Sequence, residues 1–414
     1  MKIVIVGAGP AGLMAAGAAK AHGAEIIVLE KNEKAGKKLY ITGKGRCNIT
    51  NSCESSTFFD NVIHNSKFLY SAINNFDYND CINFFETNGL KTKTERGGRV
   101  FPVSDKASDV TKSLLAYVTH NAITQQRTTV DIKYNTQVKE LIAEKNIIKG
   151  VRTNQGDILG DAVIIATGGK SYPGTGSTGD GYILAKSAGH TVVDIKPALV
   201  PITTDMKDIE SLQGLALKNV EVTAVTKDGN FTEFGEMLFT DRGISGPIVL
   251  TLSSRINETE TEYVSINLKP AISADTLDKR LLRDFSSNLN KQIRNSLDEL
   301  LPKSLIPIII GKSGIKPDTR VNQITAEQRS ALIAAITDFR LYGVKPGSIN
   351  EAIVTAGGVS TKEINPKTME SKLVKGLYFA GEVIDVDGLT GGYNIHIALA
   401  TGKAAGTNAV NSEY

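Results

Sequence analysis

The sequence predicts an α/β fold built on a buried parallel sheet and interrupted by a β-rich part and then a helical part. Three observations predict it. First, Lys2–Val6, Gly7–Gly12 and Glu25–Leu29 make strand, glycine turn, helix and second strand, the order of a nucleotide-binding βαβ unit of about 30 residues. Second, apolar spacing in the middle of the chain changes from strand-like to helical steps. Third, a glycine-rich β/α style returns from Gly347 and ends in another apolar strand, Gly376–Ala380.

Each element has a local reason. KIVIV (Lys2–Val6) is a short continuous apolar run, as expected of a strand covered on both faces. Ala11–His22 is rich in Ala and Gly, which lets a helix approach a sheet closely. Glu25–Leu29 is the next buried strand and ends at Glu30. Lys37–Asn51 (KKLYITGKGRCNITN) is cationic, glycine-rich and without period, so it reads as a structured loop. Helical patterns occupy Ser66–Asn88 and Ala107–His120. A β-meander is expected over Thr129–Thr153, with Val138, Leu141, Ile147, Ile148 and Val151 as its apolar positions. Asp161–Ala166 (DAVIIA) is a further buried strand that runs into Thr167, Gly168 and Gly169.

Leu199–Leu268 reads as short strands and turns, with Asp228-Gly229 as a hairpin signal. From Ala271 to Tyr342 the steps are helical, as in Leu277, Leu281, Leu282 and Phe285, or Leu332, Ile333, Ile336 and Phe339. The expected domains are therefore 1–194 with 344–414, a β-rich insert at 195–270 and a helical insert at 271–343.

Composition narrows the class. Of 414 residues, 41% are apolar and 22% charged, values of a globular protein. The net charge of +3, from 47 Lys and Arg against 44 Asp and Glu, is too balanced for gripping nucleic acid by charge alone. Cys47, Cys53 and Cys81 form no CxxC pair, which argues against a disulfide framework or zinc ribbon and for a reduced, cytoplasmic location. No apolar run reaches the roughly 18 residues of a membrane span. Gly7, Gly9, Pro10, Gly12 and Gly17 break up any signal-peptide core. No HExxH, GxSxG or helically spaced carboxylate pair offers another active site, and no metal is expected.

Gly7-Ala8-Gly9-Pro10-Ala11-Gly12 is a dinucleotide fingerprint. The first glycine makes the turn, the second admits a pyrophosphate, and the third lets the helix pack on the strand. The helix N-terminus then offers N–H groups and a positive dipole end to the anion. Glu30 stands 18 residues after Gly12, where a carboxylate accepts hydrogen bonds from an adenosine ribose with a free 2′-hydroxyl. That means FAD or NAD, not NADP. A second cluster, Gly174-Thr-Gly176-Ser-Thr-Gly179-Asp180-Gly181, has no strand leading straight into it. It reads as a loop and helix start lying along the cofactor or closing the site.

Three segments decide for FAD. DAVIIATGG (Asp161–Gly169) resembles the second strand-turn of two-dinucleotide-binding flavoproteins, and GLYFAGEVIDVD (Gly376–Asp387) resembles their C-terminal motif, with Glu382 in the ribitol-binding place. Gly391-Gly392-Tyr393-Asn394 starts a helix whose N–H groups suit the flavin pyrimidine edge. Together with GKGRCNITN (Gly43–Asn51), GKSYPGTGSTGDGY (Gly169–Tyr182), LFTDRGISGP (Leu238–Pro247) and GEVIDVDGLTGGYNIHIALA (Gly381–Ala400), the chain resembles bacterial NAD(P)/FAD-dependent oxidoreductases of the aminoacetone-oxidase-like or BaiN-like type. The resemblance spans the whole chain. It implies a glutathione-reductase-type FAD domain with a β-barrel-like part and a small helical domain inserted. The family often has His in place of Asp241 and Gln in place of His396.

On this reading FAD is held without a covalent bond. Gly7, Ala8, Gly9, Pro10, Ala11, Gly12, Glu30 and Lys31 hold its ADP half. Gly168, Glu382, Gly392, Tyr393 and Asn394 hold the flavin half. Lys38, Gly43, Arg46, Cys47, Asn48, Val138, Ala166, Thr167, Gly381, Gly391 and Ile395 complete the contacts. Arg46 either stabilises the anionic reduced flavin or makes a pyrophosphate or surface contact. Cys47 either touches the ring or packs, and Asn48 and Asn51 hold the loop. Tyr393 and His396 are the remaining proton-donor candidates, with a structural role as the alternative for His396. Thr240–Gly246 caps the pocket.

The expected activity is hydride transfer through flavin N5 to or from a small enone or amino-ketone, with NAD(P)H as a diffusible reductant. The resemblance also implies dihydrouridine formation in ribosomal RNA as an alternative. Residues 271–340 carry 11 Lys and Arg against 8 Asp and Glu, so Lys279, Arg280, Arg283, Lys291 and Arg294 face either phosphate or solvent. A flavin-binding sensor without catalysis is the third reading. The sequence carries no sign of oligomeric state.

Overall fold

The computed structural model describes residues 1–119, 130–287 and 289–411. His120 and Thr129, which end two expected elements, lie outside the described residues. The chain forms two compact units, Met1–Ala198 with Ile349–Tyr414, and Leu199–Ser348.

The first unit centres on a five-stranded sheet in the order Leu377–Phe379, Ala162–Ile165, Lys2–Val6, Glu25–Leu29, Val130–Lys133. Every pairing in it is parallel. Ile3, Val4, Ile5 and Ala162–Ile165 are fully buried, which is why they read as unbroken apolar runs. Helix Pro10–Ala21 follows the first strand, and helix Tyr393–Ala409 packs against it. A Cβ on Gly402 would stand 2.3 Å from the Ala11 carbonyl oxygen, and one on Gly406 2.2 Å from that of Ala15. The two helices thus touch backbone to backbone and run parallel. The sheet and its helices are a Rossmann-type α/β fold.

Several expected elements differ. The meander is divided. Val130–Lys133 joins the parallel sheet, while Val138–Glu144, Ile147–Thr153 and Gly156–Leu159 form a separate three-stranded antiparallel sheet. The long helix over 66–88 is broken into Ser66–Leu69, Tyr70–Asn74 and Tyr78–Thr87. Asp77 starts a new helix there. Its carboxylate accepts the Asp80 N–H at 2.9 Å, and Asp80 returns the bond to the Asp77 N–H at 3.1 Å.

The second unit carries a seven-stranded sheet in the order Phe339–Leu341, Thr261–Asn267, Ala216–Thr226, Gly229–Phe239, Gly243–Ser245, Ile202–Thr203, Lys345–Pro346. The two outermost strands are separated in sequence only by residues 342–344. Helices Ala274–Ser286, Ile306–Ser313 and Ala326–Thr337 share one hydrophobic cluster with the sheet, so the β and helical parts expected as two domains form one unit. A helix at Pro247–Arg255 interrupts the expected strands. Its Ser253 and Ser254 hydroxyls accept the N–H groups of Val200 at 3.0 Å and Leu199 at 2.9 Å. Phe339, which continues a helical spacing in the sequence, instead pairs with Ile266 in the sheet.

Candidate functional site

The glycine fingerprint divides its space between protein and ligand. Gly7 has φ +105°, and its Cβ position is 2.5 Å from the Ala166 carbonyl oxygen and 3.2 Å from Thr167 Cα. A Cβ on Gly12 would lie 1.9 Å from the Gly7 oxygen. At Gly9 a Cβ meets nothing within 4 Å. The helix starting at Pro10 has no side-chain cap and no acid in its first turn. Its first N–H groups therefore face an open space suited to an anion.

Glu30 is anchored at the strand end. Oε2 accepts the Ala8 N–H at 2.9 Å, and Oε1 accepts Asn32 N–H at 2.8 Å and Asn32 Nδ2 at 2.7 Å. Three of a carboxylate's roughly four acceptor sites are met, which leaves one for a hydroxyl. The second glycine cluster folds over this end. Asn32 Nδ2 donates to the Thr175 carbonyl at 3.1 Å, and Lys31 pairs with Asp180 at 2.9 Å. Gln137, beside Val138, donates to the same Asp180 at 3.2 Å. Burial opposes the Asp180 charge, but hydrogen bonds from Lys31 and Thr178 outweigh it and lower its pKa. Asn32 was missed in the sequence because an Asn after a strand carries no signature. Glu30→Ala should weaken FAD binding about ten- to a hundredfold, since a hydrogen bond to a charged group contributes about 1.5–3 kcal/mol. Flavin-fluorescence titration checks this, and an unchanged affinity removes Glu30 from the ribose.

The other end is built around helix Tyr393–Ala409. Gly392 has φ +103°, and a Cβ there would sit 2.5 Å from the Thr50 carbonyl oxygen. This helix also starts without a side-chain cap or a first-turn acid. Because Ala11 faces Gly402, the helix begins nine residues earlier, about 14 Å back at 1.5 Å per residue. Two uncapped N-termini are thus offset along one direction. The Gly391 carbonyl accepts from Asn51 Nδ2 at 3.2 Å. Asn394 turns back on its own loop, with Nδ2 to the Gly388 carbonyl at 2.6 Å and Oδ1 from the Gly388 N–H at 2.9 Å. Ile395 packs half-buried against the core. Tyr393 is 5% exposed, and burial, then the Cys53 thiol beside it, raise its phenol's pKa.

Glu382 is the most engaged carboxylate of the region. It accepts from Lys38 Nζ at 2.8 and 3.0 Å, Ser171 Oγ at 3.2 Å and the Thr355 N–H at 3.0 Å. Burial raises its pKa, but Lys38 overrides this and holds the carboxyl below its ordinary value. A ribitol hydroxyl reaches it only by displacing one of these donors. Gly168 lies beside this cluster, and Gly381 beneath it donates its N–H to Thr401 at 2.9 Å.

In the GKGRCNITN loop, Gly43 lies against the Asn48 backbone, and Asn48 Oδ1 is buried with no hydrogen-bond partner. An N–H on a ring edge would satisfy it. Arg46 is drawn the other way. It donates to Asp105 at 2.7 Å, pairs with Glu95, and stacks 4.1 Å from the Phe101 ring centre. Its charge is matched by two carboxylates, so it does not serve here as a spare cation for the flavin. Cys47 is fully buried, and burial pushes its thiol up to about 11. Of its two readings, ring contact and packing, this burial fits packing.

His396 also departs from its proton-donor reading. It is fully buried, donates from Nε2 to the Phe76 carbonyl at 2.7 Å and accepts at Nδ1 from Thr50 Oγ1 at 2.7 Å. Burial holds its pKa down at about 4. An unfolded chain takes up that proton near 6.5. Between these values the unfolded state binds more protons, so stability is full above about pH 6.5 and falls as pH drops towards 4, by up to ~3 kcal/mol. His396→Gln keeps a donor and an acceptor and should flatten that loss. Urea melts at pH 7 and 4.5 test it, and parallel curves for both proteins would place the acid sensitivity elsewhere.

The pair missed by sequence reading is His64 with Asp387. Asp387 is fully buried, and His64 Nδ1 donates to its Oδ1. The side chains meet because Asp387-Gly388 pairs antiparallel with Val62–His64. This ladder directly precedes the Gly391-Gly392 turn. Asp387 lies within a quoted motif, but nothing near His64 marks its partner 323 residues away.

Open Gly9, two uncapped helix starts and orphaned Asn48 Oδ1 fit a bound dinucleotide. Among the described residues no group of His, Cys, Asp and Glu fits a metal ion, and no helix is long and apolar enough to cross a membrane. Comparison with known proteins agrees with the fold. The chain is 32% identical over 419 residues to the 3-dehydro-bile acid delta(4,6)-reductase of Clostridium scindens, covering 99% of this chain and 98% of that one. It is equally 32% identical over 409 residues to the ribosomal RNA dihydrouridine synthase of Escherichia coli, covering 98% and 97%. The solved structure of 3-ketosteroid delta1-dehydrogenase from Sterolibacterium denitrificans matches with TM-score 0.50 and 12% identity over 99% of both chains, a likeness of fold. The HI0933-like protein Rossmann domain matches residues 1–408, and the chain belongs to that family.

Proposed function

We propose that this chain is an FAD-dependent oxidoreductase that reduces a small organic enone, with NAD(P)H as a diffusible reductant. The observation that carries the reading is the pair of uncapped helix N-termini, one at open Gly9 and one at Gly392. FAD, when bound, supplies the hydride chemistry. The first turn of helix Pro10–Ala21 holds the pyrophosphate, and Glu30 takes a ribose hydroxyl. The N–H groups at Tyr393 and the Asn48 amide would hold the flavin end. Reduction of an enone needs a hydride on one carbon and a proton on its neighbour. His64 would give that proton as the imidazolium, keeping Nδ1–H on the Asp387 carboxylate and releasing the proton of Nε2. The name of the Clostridium scindens relative supports the enone class.

Purified protein should be yellow and release FAD on acid precipitation. NADH or NADPH should bleach it anaerobically, and a 3-keto-Δ4 compound should restore the colour in stopped flow. Recovery of FMN, or of no flavin after reconstitution, sinks the cofactor assignment. A second reading, uridine reduction in ribosomal RNA, is supported by the name of the Escherichia coli relative. It prevails if extracted rRNA restores the colour and no enone does. A flavin that no acceptor reoxidises supports the sensor reading instead.

A further inference from the structure

The second unit contains a cavity of about 350 Å³ that the flavin chemistry does not use. It lies where strand Ala216–Thr226 begins, where the chain leaves strand Thr261–Asn267, and along helix Ala274–Ser286. Its size is at the small end of ligand pockets, about 300–1,000 Å³. Leu217, Leu268, Ile272, Leu301 and Leu305 give it apolar walls. Its charged lining is of one sign, Lys218, Lys269 and Arg280, and no Asp or Glu lines it among the described residues.

The cations are held there by the fold. Arg280 donates to the Glu299 carbonyl at 3.0 Å. Its Nε is buried without a hydrogen bond, 3.5 Å from Asp284, a carboxylate that also pairs with Arg283 at 3.1 Å. Lys218 enters the wall where the pairing register of its strand shifts between Leu217 and Val220. Lys269 is half-buried. Burial, and then the positive charge of Arg280, lower its pKa. Like charges beside apolar walls are unfavourable, and the Asp284 carboxylate that answers Arg280 is shared with Arg283, so an added anion on the Lys269 side would relieve the pair. We infer that this cavity binds an anionic amphiphile, a carboxylate or phosphate head between Lys269 and Arg280 with an apolar body along the leucines.

The test is calorimetric titration of the flavin-loaded protein with octanoate, octyl phosphate, inorganic phosphate and octanol. Octanoate or octyl phosphate should bind saturably, and the tighter one names the head group. Inorganic phosphate and octanol, each with half of the chemistry, should bind at least about tenfold more weakly. Lys269→Gln should weaken the amphiphile about tenfold or more, the magnitude of one charged hydrogen bond, with the flavin spectrum unchanged. Arg280→Gln should do the same. If it unfolds, Lys269→Gln decides alone. No binding of either amphiphile overturns the inference, as does equal binding by inorganic phosphate or by octanol. Equal affinity in the Lys269→Gln protein overturns it too. None of these outcomes bears on FAD.

Discussion

Gly9→Asp should fold normally and purify without colour. A Cβ at Gly9 meets nothing, and its φ of −78° is open to any residue. Asp at this N-cap position accepts first-turn N–H groups and should stabilise the empty protein by about 1 kcal/mol. The same carboxylate then stands where the pyrophosphate docks. Two like charges about 4 Å apart at an effective dielectric of 20 repel by ~4 kcal/mol, about a thousandfold in Kd. Thermal melts of the apo protein measure the first effect and flavin titration the second. A variant binding FAD within tenfold of wild type would move the pyrophosphate away from this helix. Gly12→Ala is the contrast. Its Cβ collides with the Gly7 oxygen, so the expected loss there is of folded protein.

His64→Gln should separate the two half-reactions. General acids contribute about 10²–10⁴ in rate. Reoxidation of the reduced protein by an enone should therefore slow at least about a hundredfold. Bleaching by NAD(P)H needs no such proton and should keep its rate. Gln retains a donor towards Asp387, so the ladder between Val62–His64 and Asp387-Gly388 stays tied. Stopped-flow traces of both half-reactions give the answer. Equal reoxidation rates would exclude His64 as the acid, and equal slowing of both would indicate a shifted flavin.

The nucleotide end was legible because its determinants are local. KIVIV, the glycine turn and Glu30 lie within one βαβ unit, and each glycine's role follows from backbone sterics. The flavin end was legible only in outline. Gly392 and Glu382 were identified, but the partners that define them, Thr50, Lys38 and Thr355, come from distant segments. Arg46 reads as a cation near the cofactor until Asp105 and Glu95 are placed beside it. His396 reads as an acid or a structural group until its burial favours the second. Pro247–Arg255 escaped notice because a nine-residue apolar helix between strands has no period long enough to betray it. Phe339 was absorbed into a helical spacing whose real end is at Thr337.

The seam of the inserted unit has an evolutionary consequence. Ala198 and Val354 are paired across an antiparallel ladder, and the whole of Leu199–Ser348 lies between them in the chain. Without that segment, only residues 349–353 would join the two strands, a loop length that hairpins commonly use. The insert is likewise stitched at its own ends, where the Gly347 N–H donates to the Pro201 carbonyl at 2.8 Å. Among the described residues, none belongs to both hydrophobic clusters. The chain is thus a host carrying a guest. A single recombination event at one hairpin can exchange the guest while the lineage keeps its nucleotide-binding sheet intact.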